Sequence, residues 1–179
     1  MCIKKSKPKI ITFLMYQDAF LFLGIKNFIE DTYENADMGA IWGNFFKAGG
    51  YDKIIPYAVV PKPMNVCYTN DAGTKIYFQG MMMADVDAVP DGYTLEAFPA
   101  GDYLVVTTEW MKTHKEALGE NGLGQTYRYH KTVQIPEGYI RYDGVGCPFT
   151  VIEKENTDTP DGSRYEFWVP IKKVEDNTP

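Results

Sequence analysis

The segment Tyr165-Glu166-Phe167-Trp168-Val169-Pro170-Ile171 sets one carboxylate in an otherwise apolar, strand-like run. Alternation along a strand puts Glu166 and Trp168 on one face and Tyr165 and Phe167 on the other. If the Glu166 face is the inner one, an unpaired buried charge costs several kcal/mol, roughly, unless it is hydrogen-bonded, neutralised or met by a cation. A cationic ligand is one source of that charge. An exposed or tyrosine-bonded glutamate is the plainer reading, and both stand at this point.

Other chemistry-bearing residues are weaker candidates. Glu153 and Glu155 have the i, i+2 spacing that places two carboxylates on one strand face, as an acid–base or metal pair requires, but Lys154 between them and the turn that follows predict a solvated edge. His114 and His130 lack any Ser or Cys elbow, and a nucleophile–base pair would have to be assembled with a distant residue such as Cys147. The same two histidines are the only side chains able to hold a haem, which makes haem the weakest cofactor option. Gly119-Glu120-Asn121-Gly122-Leu123-Gly124-Gln125-Thr126 imitates a phosphate-binding loop, but Gln125 replaces the lysine and the string follows a predicted helix rather than a strand. It reads as a glycine-rich helix end running into a loop. Cys2, Cys67 and Cys147 form no C-x-x-C pair, so neither a disulfide framework nor a zinc site is encoded, and no metal or cofactor is expected.

The elements that must position these residues show a doubled pattern. Lys9 to Met15 and Ala19 to Glu30 are strand-like. From Asp37 to Lys47 the period changes: Met38, Ile41, Trp42, Phe45 and Phe46 recur at helical spacing, with Asn35 or Asp37 as N-cap and Gly49-Gly50 as the stop. Asn65 to Asn70 and Thr74 to Met83 read as a hairpin about Asp71-Ala72-Gly73. The second half repeats this order. Leu95 to Thr108 reads as a strand kinked at Pro99-Ala100-Gly101, Glu109 to Leu118 as a helix, and Phe149 to Lys154 with Tyr165 to Ile171 as a hairpin whose turn holds Pro160-Asp161-Gly162. The expectation is an α+β fold in which two pseudo-symmetric βαββ units form one antiparallel sheet, with helices on one side and a central ligand cleft. The long, irregular stretch from Asn121 to Asp143 is positioned to act as a lid or plug.

Composition narrows the function classes. The 179 residues carry 24 acidic and 18 basic side chains, a formal net charge of −6, and only Arg128, Arg141 and Arg164 are arginines, which argues against direct nucleic-acid binding. No apolar run approaches the roughly 20 residues of a membrane span, and no signal-peptide core follows Lys4, Lys5, Lys7 and Lys9. A single soluble, cytoplasmic domain of residues 1–179 is expected, with its core at about 10–174. Aromatic residues make up 15% of the chain: 10 Phe, 13 Tyr and 3 Trp, enough for a filled core and an aromatic pocket. The eight methionines, three of them consecutive at Met81, Met82 and Met83, read as core filling before pocket lining.

Four segments in register resemble the GyrI-like small-molecule-binding domain, the effector-binding domain of AraC- and MerR-type regulators. They are Tyr77-Phe78-Gln79-Gly80-Met81, Val89-Pro90-Asp91-Gly92, Phe98-Pro99-Ala100-Gly101-Asp102-Tyr103-Leu104-Val105-Val106, and Tyr165 through Lys173. The likeness covers roughly residues 16 to 174, and the family's fold implies the same paired βαββ units. Where the family often carries "W-L-P-x-S-G-Y" after its second helix, this chain has the stretch from Asn121 to Asp143 instead, and no helix-turn-helix domain is recognised.

The resemblance implies a stand-alone binding module for lipophilic, cationic or aromatic small molecules, serving sequestration or regulator-like sensing, with a regulator or gyrase as the protein partner to consider. Glu166 maps onto the family's last-strand glutamate and is the implied counter-charge. Trp42, Phe45, Tyr68, Tyr103 and Trp168 are the candidate aromatic walls, because they belong to the cleft-forming elements of the two units. The alternative implied by stand-alone members is hydrolysis of strained electrophiles, with Glu166 as general base and Tyr103 or Trp168 positioning the substrate.

Overall fold

A computed structural model describes residues 7–142 and 151–174. Cys2, Cys147, Lys4, Lys5, Asp143 and Phe149 lie outside the described residues. Strands β1 (Ile10–Gln17), β2 (Phe20–Ile29), β3 (Met64–Thr69), β4 (Lys75–Met83), β5 (Thr94–Phe98), β6 (Gly101–Thr108), β7 (Tyr139–Arg141), β8 (Val151–Thr159) and β9 (Gly162–Lys173) are joined by helices α1 (Met38–Lys47), α2 (His114–Leu118) and α3 (Gln125–Thr132). All strands pair antiparallel in one sheet of order β1-β6-β9-β8-β3-β4-β2-β5, with β7 beside the end of β9.

That order has a pseudo-two-fold centre between β3 and β8. The units β2-α1-β3-β4 and β6-α2-β8-β9 lie to either side, and each receives at its edge the strand that precedes the other: β1 pairs with β6, β5 with β2. The doubled βαββ architecture expected from the sequence is therefore present, with a reciprocal strand exchange added. The run Leu95 to Thr108 is not one kinked strand. It is cut at Pro99-Ala100 into β5 and β6, which belong to opposite halves of the sheet. Proline lacks the N–H that would continue a ladder, so the break falls there.

Local chemistry sets the ends of the other elements. Asp37 caps α1, its side chain accepting from the Ala40 N–H at 2.9 Å, and Gly49 and Gly50 follow in the left-handed region that stops the helix. The second helix starts later than Glu109, at His114. Met111 exchanges both backbone hydrogen bonds with Ser163 and is thereby held extended, and Thr113 supplies the cap by accepting from Glu116 N–H. Gly24 and Gly80 face each other across β2 and β4, where a Cβ on Gly24 would stand 2.0 Å from the Gln79 carbonyl oxygen, so only glycine permits that approach.

The sheet buries side chains on both faces by different means. Leu23, Ile29, Cys67, Tyr77, Met81, Val151, Phe167 and Val169 pack under α1, α3 and the turns around them. Phe20, Phe22, Val66, Phe78, Phe98, Tyr103, Val105, Ile152 and Trp168 form one cluster on the other face, where the described residues include no helix. Met15 of edge strand β1 and Phe98 of the opposite edge β5 belong to that same cluster, so the sheet curls over its own side chains. Met81 and Met83 are core residues, buried under the first unit's helix side.

Candidate effector cleft on the helix-bearing face

The centre of the helix-bearing face is polar. Registers β4–β3, β3–β8 and β8–β9 align Gln79, Asn65, Glu153 and Phe167 in a row across the sheet. Gln79 and Asn65 are buried, and Asn27 donates to Gln79 Oε1 at 3.0 Å. Gln79 Nε2 and Asn65 Oδ1 nevertheless have no hydrogen-bond partner among the described residues, nor does the buried Tyr51 hydroxyl. Orphaned polar atoms gathered at one place are uncommon in folded proteins.

Glu153 is the charge at this centre. It was expected on a solvated edge with Glu155, but β8 lies between β9 and β3, and both carboxylates point to the helix side, where they are half-buried. Burial raises the Glu153 pKa to about 7 and the nearby Glu155 charge adds to the rise, while a hydrogen bond from the Asn65 amide opposes it. Among the described residues no lysine or arginine pairs with Glu153. A cavity of about 300 Å³ opens beside it, walled by Leu118, Leu123, Gly124, Tyr127 and Phe167.

Aromatic hydroxyls surround the two carboxylates. Tyr77 and Tyr165 flank them on β4 and β9, and Tyr51 reaches in from the turn after α1; all three phenols are pushed above their ordinary pKa by burial first and by neighbouring negative charge second. Cys67 is likewise raised, by burial and by Glu153, which makes it an inert thiol. His114 Nε2 lies 2.9 Å from the Tyr165 hydroxyl and 3.6 Å from Glu155 Oε1. From the first unit, the Trp42 indole donates to the Tyr77 oxygen, and Trp42, Phe45 and Tyr51 pack as an aromatic cluster, with Phe45 and Tyr51 4.7 Å apart.

The halves are tied over this cleft. Tyr127 and Lys131 of α3 both reach Glu34, just before α1, at 3.2 and 2.5 Å, and the lysine pulls the Glu34 pKa down to about 2. The segment from Asn121 onward is thus largely structured: a wide turn at Glu120–Gly124 leads into α3, and Leu123 and Tyr127 form a wall over Glu153. The phosphate-loop imitation dissolves into packing, for Gly122 presses on the Ala117 backbone and Thr126 Oγ1 donates to the Gly122 carbonyl at 2.8 Å.

The six residues read from the sequence are separated. Trp42 and Phe45 belong to the cleft face. Tyr68, Tyr103, Glu166 and Trp168 lie on the curled, helix-free face. Glu166 is buried there beside Trp168 rather than exposed or tyrosine-bonded, and its two oxygens accept from Arg164 Nη2 at 2.9 Å and Trp168 Nε1 at 3.1 Å. Arg164 is stacked 4.1 Å over the Trp110 ring. Tyr68 donates to Glu96 at 2.8 Å, and Tyr103 and Trp168 rings lie 5.7 Å apart. Glu153, Asn65, Gln79, Tyr51, Tyr77 and Tyr165 were not singled out as site residues. The available signal was period two: Val151, Glu153 and Glu155 share a face of β8 that pairs with Phe167 and Tyr165, the face opposite to Glu166.

An antiparallel α+β sheet built of two βαββ units is the architecture of the GyrI-like fold. The sequence pattern of the family described as Cass2, integron-associated effector binding protein, matches residues 14–171. The chain belongs to that family, and small-molecule binding is the coarse function this carries. Its fold resembles SAV2435 bound to tetraphenylphosphonium (TM-score 0.64, 14% identity, 90% of this chain and 94% of that one). It also resembles an integron cassette protein, VCH_CASS2, from the mobile metagenome of Vibrio cholerae (0.52, 10%, 90% and 95%) and the C-terminal domain of EcmrR (0.53, 12%, 92% and 99%). None of the curated proteins matches this sequence. No described helix is long and apolar enough to cross a membrane.

Proposed function

We propose that this domain binds lipophilic organic cations in the cleft between α1 and the α2–α3 segment, with Glu153 as the counter-charge and Trp42, Tyr51, Tyr77 and Tyr165 as the aromatic surround. The observation that carries this reading is the half-buried Glu153 carboxylate, raised to about pKa 7, with no cation of the chain paired to it among the described residues. A ligand cation favours its ionised form and is held by Coulombic and cation–π attraction together. Glu166 does not have this vacancy, since Arg164 already meets it. In this proposal the ligand-facing role passes from Glu166 to Glu153, and Tyr68, Tyr103 and Trp168 serve the curled core. The tetraphenylphosphonium bound by SAV2435 is a ligand of the proposed chemistry. Such a domain acts in sequestration or in sensing through a partner regulator.

Isothermal titration with tetraphenylphosphonium tests the assignment. Wild-type affinity is expected to rise with pH through about 7 as Glu153 ionises. Glu153→Gln should weaken binding by about tenfold or more, and Glu166→Gln should not. Equal loss in both variants, or none in Glu153→Gln, overturns the assignment.

The same geometry favours a second reading. A carboxylate with a pKa near 7 suits a general base, and His114 with Tyr165 stands close by to handle a proton. Water addition to a strained electrophile, followed by mass spectrometry and lost in Glu153→Gln, would establish hydrolysis; recovery of unchanged electrophile leaves binding as the function.

A further inference from the structure

The two edges of the sheet are built differently. Edge strand β5 is 5 residues long and is followed by Pro99, and its Glu96 is held by Lys26 and by the Tyr68 hydroxyl. A short, charged strand closed by proline gives a neighbouring chain little to pair with. Edge strand β1 runs for 8 residues without a charge or a proline, and its ladder with β6 has no bulge. Among the described residues no strand pairs with its outer side, and Phe13, Leu14 and Tyr16 are 39%, 49% and 62% exposed. The outer backbone N–H and C=O groups of such an apolar edge are a template for a further strand.

The strand is complementary to itself. Lys7 and Lys9 precede it and Asp18 follows it, all three exposed. Parallel pairing with a second copy sets lysine beside lysine, whereas antiparallel pairing brings the lysines of each copy to the Asp18 of the other. A two-fold axis perpendicular to the sheet keeps every side chain on its own face, so it must pass through a residue, and the middle of β1 offers Phe13 or Leu14. Centring on Leu14 sets apolar Ile10 against Asp18. Centring on Phe13 sets Asp18 against Pro8, between the two lysines, and Ile10 against Tyr16 on the helix-bearing face. On the other face Ile11 then meets Met15, and Phe13 meets its own copy. Aromatic–aromatic and aromatic–β-branched pairs of this kind stabilise antiparallel ladders.

We infer that β1 is the seam of a homodimer, in which two copies pair antiparallel through Ile10–Gln17 about a two-fold axis at Phe13 and join their sheets into one. The guarded edge at β5 closes the assembly at two copies. The seam is independent of where a small molecule binds.

Sedimentation velocity of the full chain from about 1 µM to about 0.5 mM should show a monomer–dimer equilibrium. Phe13→Lys sets two ammonium groups opposite each other and should weaken association by about tenfold or more, while Ala97→Lys on the opposite edge should leave it unchanged. Cysteines read the register in a background with Cys2 and Cys147 replaced by serine. On mild oxidation Phe13→Cys should cross-link to its own copy and Leu14→Cys should not, but Leu14→Cys mixed with Thr12→Cys should give the mixed dimer. The seam is overturned by a monomer at every concentration, by assemblies larger than a dimer, by unchanged association in Phe13→Lys, or by equal cross-linking of Phe13→Cys and Leu14→Cys. Should Phe13→Lys fail to fold, the cysteine pattern decides, since Thr12, Phe13 and Leu14 are all exposed.

Discussion

Glu153 and Glu166 sit on adjacent strands of one sheet, both withdrawn from solvent, yet they answer the cost of burial in opposite ways. Glu166 is a finished interaction: a guanidinium, an indole N–H and a stacked Trp110 beneath the guanidinium complete it within the chain. Glu153 is unfinished. Its pKa rises because burial disfavours its charge and nothing described supplies a cation, and two orphaned amide atoms lie on neighbouring strands in the same row. A withdrawn carboxylate therefore points to a ligand only where its counter-charge is missing.

The contrast is most sharply broken by removing Arg164. Arg164→Met leaves Glu166 buried without its cation and should cost about 3–5 kcal/mol in urea denaturation, whereas the double variant with Glu166→Gln should recover most of it. A loss below about 1 kcal/mol in the single variant would mean that Glu166 is no better compensated than Glu153.

A smaller effect with a distinctive sign comes from Glu153. Its folded pKa lies above the ordinary value of 4.5, so the folded state holds the proton more tightly and stability is fully present below about pH 4.5 and declines as pH rises toward about 7. Glu153→Gln should erase that slope and stabilise the domain above pH 7 by roughly 1–3 kcal/mol. His130 runs the other way. It is stacked on Phe167 at 4.6 Å and its pKa is lowered to about 4, by burial first and then by Arg141 and Lys131, so its contribution is lost as pH falls from 6.5 toward about 4. The two slopes oppose each other between pH 4.5 and 6.5. Wild-type thermal melts should be flatter there than those of Glu153→Gln, which should fall steadily with acid.

The smallest effect belongs to the tie over the cleft. Glu34→Gln loosens an ion pair with exposed partners and should change global stability by less than about 1 kcal/mol despite the low Glu34 pKa, because solvent screens it. Amide exchange in α3 should quicken while that of β8 does not; parallel changes would show the tie to be part of the core instead.

Period and turn chemistry made much of the fold legible. The cap at Asp37, the glycine stop at Gly49-Gly50, the hairpin about Gly73 and the face-sharing of Glu166 with Trp168 are local consequences of residue type, and they occur where the sequence places them. The strand break at Pro99 was visible as a kink, but the passage of its two sides to opposite halves of the sheet was not. The late start of α2 depends on Ser163, some fifty residues away, whose backbone holds Met111 extended.

What the sequence by itself determined is the doubled unit and the two-residue alternation that assigns every strand side chain to one of two faces, because both follow from backbone geometry between near neighbours. Which face becomes a cleft, and which glutamate in it has no counter-charge among the described residues, was decided by tertiary structure alone. Strand order makes β8 central rather than an edge and seats Glu153 under the helices. Side-chain geometry gives Arg164 to Glu166 and sets Lys154 over the Trp168 ring. Charge compensation depends on distance in space, and residues far apart in the chain become neighbours only once the sheet has formed.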